Sequence, residues 1–182
     1  MTTHNSDTTT LNTLIATLLD SIDGYTKSAQ DVKDRDLADR FNARARERQS
    51  AVAGLQAAVA RLGGNPEDDG TLLAGAHRAF LSLKEAVTGS DDQAIINEIE
   101  RGEDYLKGKF EAALKTVDLA PEARSAVDQA WTSVKVGHDE MSGLKHQRDR
   151  VESSADGQND AMARQQEYAS ESDVRRRDDQ IN

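Results

Sequence analysis

The apolar residues of this chain fall into stripes at three- and four-residue steps, the spacing of one face of an α-helix. The first stripe takes Leu11, Ile15, Leu18, Ile22, Tyr25, Ala29 and Val32, with Leu14 and Leu19 on its flanks. It predicts a helix over about 9–33, capped by one of Thr8 to Thr10. The second takes Leu37, Phe41, Ala45, Val52, Leu55, Val59 and Leu62 and predicts a helix over about 36–63. Gly-Gly-Asn-Pro at 63–66 ends it by a left-handed cap and a following proline. A shorter piece with Leu72, Leu73, Ala76, Phe80, Leu83 and Val87 predicts a helix over about 71–88, stopped by Gly89. Ser90-Asp-Asp-Gln93 then has the form of a capping box. It opens a helix over about 91–117 with Ile95, Ile96, Ile99, Leu106, Phe110, Ala113, Leu114 and Val117 on one side. Pro121 suits a first helical turn. The helix it begins runs to about 150, with Val127, Ala130, Val134, Met141 and Leu144 in its stripe, Trp131 on the flank and His138 at the edge.

The ends of the chain lack this period. Residues 1–8 are polar and are expected to form a disordered N-terminus; residues 151–182 are expected to form a polar tail, flexible or weakly helical. Between them, residues 9–150 hold four amphipathic helices of about 24–30 residues, each about 36–45 Å long. Rods of matched length make a bundle. The first and second are joined by a short link, as are the last two, so each pair is an antiparallel hairpin. The link between the hairpins contains a helix of about 24 Å, enough to carry the chain most of the way back along the bundle. The expected architecture is all-α: a ferritin-like four-helix bundle with a helical crossover between its second and third members.

Composition narrows the function classes. The chain has no cysteine, so it has neither a disulfide framework nor a thiolate metal site. Its net charge is −10, which argues against nucleic-acid binding, where Lys and Arg supply the affinity. No apolar run is long enough to span a membrane, and MTTHNSDTTT has no signal-peptide character. A cytoplasmic protein is expected.

Five segments, DGY at 23–25, RLGGNPED at 61–68, HRAFLSLKEAVTG at 77–89, ERGEDY at 100–105 and VKVGHDEM at 134–141, occur in this order. In them, residues 11–150 resemble a bacterial family of ferritin-like four-helix-bundle proteins of unknown function. The resemblance implies the fold and no established activity.

Two charges interrupt the stripes. Arg48 stands at the centre of the second and Glu103 at the centre of the stripe over 91–117. A buried carboxylate must be paired, protonated or coordinated. A ferritin-like di-iron centre needs a Glu from each of two helices and Glu-x-x-His from each of the other two. This chain departs from that pattern in three places. The first helix sends no carboxylate inward; on the second, Glu47-Arg-Gln-Ser50 has Ser where His belongs; on the last, Lys135 stands three before His138. No metal is expected. If iron or manganese did bind, Glu103, His138 and Glu100 are its candidate ligands, with Arg48 opposing a cation. The favoured reading is a buried polar network of Arg48, Glu103 and His138, all near the midpoints of their helices, with His138 either completing it or sitting at the bundle edge. Tyr25, Tyr105 and Trp131 read as packing residues, and His4, His77 and His146 as isolated ones. No catalytic motif occurs. The chain is therefore expected to be a non-enzymatic helical-bundle protein, stress-associated or an interaction scaffold, pairing as a homodimer through helix faces. A metal-binding redox or storage protein is the alternative.

Overall fold

The computed structural model describes residues 2–70, 91–116 and 118–178. The described residues form four helices: α1 (Thr2–Asp31), α2 (Arg35–Arg61), α3 (Asp92–Leu114) and α4 (Pro121–Asp178). The described residues contain no strand. The predicted crossover helix at about 71–88 lies outside them. The chain divides into Met1–Lys145, the bundle, and His146–Asn182.

The stripes become the core. Leu11, Ile15, Leu18, Ile22 and Tyr25 of α1 are buried with Leu37, Phe41, Val52, Leu55 and Val59 of α2. Ile95, Ile96, Ile99, Leu106 and Phe110 of α3 and Val127, Ala130, Val134 and Met141 of α4 complete it. Burying apolar area of this kind is the main favourable term in folding. Aromatic rings tie the elements in pairs. Tyr25 and Phe41 lie 5.8 Å apart, and Phe110 stacks on Trp131 at 6.4 Å.

Polar contacts at the helix ends fix the directions. At one end the Asp92 carboxylate accepts from the backbone N–H of Lys33 (2.9 Å) and Asp34 (3.1 Å), so α3 starts beside the α1–α2 turn. Asp34 in turn caps α2, accepting from Asp36 and Leu37 N–H, and Asp91 caps α3 through Gln93 N–H. At the other end Asn12 donates to the Asn65 carbonyl (2.9 Å) and accepts from Glu67 N–H (2.9 Å). Gly63, at φ 78°, makes the left-handed turn out of α2. Asp7 accepts from Ala120 N–H (3.3 Å), and Arg61 pairs with Glu122, so α4 also starts here. Hence α1 and α4 run one way, and α2 and α3 the other. The chain between Arg61 and Asp92 joins opposite ends of the bundle.

Two expectations need correction. Residues 1–8 are not a disordered terminus, because α1 begins at Thr2. Thr8, Thr9 and Thr10 do not cap it. Their hydroxyls donate to carbonyls three or four residues back, Asn5 for Thr8 and Thr9 and Ser6 for Thr10, as a threonine inside a helix does. Asp7 is 2 % exposed and holds the first turns against the start of α4. The tail, expected to be flexible or weakly helical, lies in α4, which continues to Asp178. Its Ala, Arg, Gln and Glu are good helix formers without an apolar stripe. Ser153 and Ser154 fold their hydroxyls back onto the Asp149 (2.8 Å) and Arg150 (2.7 Å) carbonyls.

The buried Asp7 acceptor makes a test of the α1 extension. Asp7→Ala leaves the Ala120 N–H without its partner and should destabilise the bundle by about 1–3 kcal/mol in urea unfolding. An unchanged midpoint would mean that the first turns are not docked.

Candidate functional site

Side chains on a helix tilt toward its own N-terminus. In the parallel helices α2 and α3, Arg48 and Glu103 therefore tilt the same way, toward the α1–α2 turn. Tyr25 on antiparallel α1 tilts the opposite way and meets them. The result is a polar layer inside an apolar core, in which the buried Arg48 Nε has no partner.

Arg48 is 0 % exposed, Glu103 1 % and Tyr25 1 %. Arg48 Nη2 donates to both carboxylate oxygens of Glu103, at 2.9 Å to Oε1 and 2.7 Å to Oε2. The Tyr25 hydroxyl donates to Oε1 at 2.9 Å. Arg48 Nη1 donates to the Ser133 hydroxyl on α4 at 3.3 Å. Each of the four bundle helices thus supplies a member. The guanidinium neutralises the carboxylate through charge-assisted hydrogen bonds, which are shorter and stronger than neutral ones.

Gly137 admits this arrangement. It is buried on the inner face of α4. A Cβ there would overlap Arg48 Nη2 and stand 3.2 Å from Glu103 Oε2. Glycine in a helix interior costs about 1 kcal/mol relative to alanine. Here the missing methyl gives room to the guanidinium.

Tyr25 feels the layer electrostatically. Burial first, and then the negative Glu103 beside it, hold its hydroxyl well above the ordinary 10.0. The Arg48 charge opposes this without cancelling it.

The structure brings Arg48 and Glu103 together and leaves His138 and Glu100 outside. His138 is not part of the buried network. Its ring lies at the α3–α4 seam, with Nε2 3.0 Å from Asp104 Oδ1 and Nδ1 3.3 Å from Asp139 Oδ1. The physical reason is rotation: His138 is at the right height on α4 but about 100° round from Gly137. Lys135, ahead of His138, pulls the Asp139 carboxyl below its ordinary value. Glu100 accepts from Lys145 Nζ at 2.8 Å, away from the core layer. The three candidate ligands thus have separate partners and do not converge. Among the described residues no group of three His, Asp or Glu could hold a metal ion. Tyr25, Ser133 and Gly137 were not assigned to the layer from the sequence. The available signal was the α4 stripe itself, whose step from Val134 to Met141 passes through residue 137.

A second set of ion pairs joins α2 to α4 nearer the surface. Arg40 (3.2 Å) and Arg44 (2.7 Å, through Nε) both reach Glu140, and Arg44 also pairs with Glu47. Partly exposed pairs of this kind add little stability individually.

Residues 7–116 match the domain of unknown function DUF2383, and the chain belongs to that family. No curated protein matches the chain. No helix among the described residues is long and apolar enough to cross a membrane.

Two measurements test the layer. Arg48→Met and Glu103→Met should each destabilise by about 3–5 kcal/mol, since each leaves an uncompensated buried partner. The double variant should lose far less than the sum; additive losses in a double-mutant cycle would contradict the pairing. Tyr25 gives a pH signature. Its folded-state proton is held more tightly than the unfolded one, so its contribution is complete below pH 10.0 and is lost as pH rises above that. Urea unfolding from pH 8 to 11 should show a steeper alkaline loss of stability in the wild type than in Tyr25→Phe.

Proposed function

We propose that this chain is a non-enzymatic ferritin-like bundle protein that acts as an interaction scaffold, with no metal or redox chemistry in its core. The ferritin-like reading is supported by the helix directions and by the end-to-end span between α2 and α3. The non-metal reading rests on one observation. Where a di-iron bundle converges four carboxylates and two histidines, this core brings together Tyr25, Arg48, Glu103 and Gly137. One carboxylate, already carrying two hydrogen bonds from a guanidinium, does not fit a metal centre.

An interaction role needs a surface. On the bundle, Tyr105 and Val136 are exposed; on the second unit, Val151 and Met162 are. These are side chains that a protein partner or a second copy would cover on binding. The expected residence is the cytoplasm.

Metal analysis of protein purified without chelator tests the proposal. Sub-stoichiometric iron and manganese, unchanged in Glu103→Ala, is the expected result. Stoichiometric metal that disappears in Glu103→Ala would replace the proposal with a metal-binding redox or storage protein. Light scattering on the same sample reads whether copies pair.

A further inference from the structure

We infer that the centre of this bundle is a cation site whose occupant is covalently part of the chain: a planar guanidinium, admitted by Gly137 and specified by Glu103, Tyr25 and Ser133. This rests on the non-metal reading above and goes beyond it by naming the chemical class the layer is shaped for.

Three observations carry it. First, the charge is balanced locally. Glu103 is the carboxylate that Arg48 meets, and both its oxygens receive the same nitrogen, at 2.9 and 2.7 Å. Removing the cation leaves a buried anion, a state far more costly than losing one hydrogen bond. Second, the acceptors engage both terminal nitrogens of the guanidinium, while Nε is buried without a partner. Nη2 faces the carboxylate on α3 while Nη1 faces the Ser133 hydroxyl on α4. An ammonium at the same place presents no planar fork and cannot serve two helices through two separate nitrogens. Third, the space is shaped to the group. The backbone of α4 at Gly137 lies against Nη2, where any side chain would collide.

A divalent ion fits these contacts poorly. Metals of this fold class need several convergent oxygen and nitrogen ligands. The layer offers one carboxylate, one phenol whose proton is held tightly, and one hydroxyl.

Chemical complementation tests the inference. Arg48→Ala removes a fragment equivalent to ethylguanidinium. The full-length variant is titrated to about 50 mM with ethylguanidinium, with its neutral analogue N-ethylurea, or with Mn²⁺, and thermal unfolding is followed by helical circular dichroism. Ethylguanidinium should restore more than half of the lost midpoint in Arg48→Ala. It should give no rise in the wild type or in Arg48→Ala/Glu103→Gln, and N-ethylurea none in Arg48→Ala. If Arg48→Ala is unfolded alone, the same titration reads recovery of helicity, which ethylguanidinium should produce and N-ethylurea should not. No specific recovery overturns the inference, as does recovery by Mn²⁺ equal to that by ethylguanidinium. The metal content of the wild type is a separate readout, so a failed complementation leaves the non-metal reading standing.

Discussion

The hydrogen-bonded pair of Arg48 and Glu103 is the constraint around which the bundle closes. The two residues sit on the parallel helices α2 and α3, 55 positions apart in sequence, and neither reaches water. Each makes the other tolerable: a lone charge in this core would destabilise it by several kcal/mol. The apolar stripes supply most of the driving force, but they are forgiving about register. A leucine can slide past a leucine, whereas Nη2 cannot slide off its carboxylate without exposing both charges to an apolar surround. The specificity of the packing is therefore concentrated in one layer, to which α1 contributes Tyr25 and α4 contributes Ser133 and a missing side chain.

Much of this was legible in the residues. Hydrophobic period located the bundle helices, and interruption of that period located Arg48 and Glu103. Both signals are physical consequences of burial, so they survive without knowledge of the partners. The short links implied two hairpins, and the end contacts of Asp92, Asn12 and Asp7 give the directions those hairpins take.

What was less legible has specific causes. The helical period puts His138 at the edge of its stripe, and its height on α4 matches Arg48 and Glu103; height does not offset the angle, since one residue is about 100° of rotation. Gly137 is hard to read because its contribution is an absence. Tyr25 was hidden by antiparallel geometry, since its reach runs opposite to that of Arg48 and Glu103. Thr8 to Thr10 look like a cap because threonine hydroxyls serve caps and interior back-bonds equally well.

The Gly-Gly turn at 63–64 and the Asp91 cap stand at opposite ends of the bundle, and that separation bears on how the chain assembles. The α1–α2 hairpin can form from near neighbours, yet it holds only the cationic half of the central pair. The anionic half arrives on α3 after a traverse of the whole length. A half-built chain thus keeps both groups hydrated, and the interior can dry out only when the second hairpin seats against the first. Burying this pair without leaving a lone charge inside requires both hairpins to be in place.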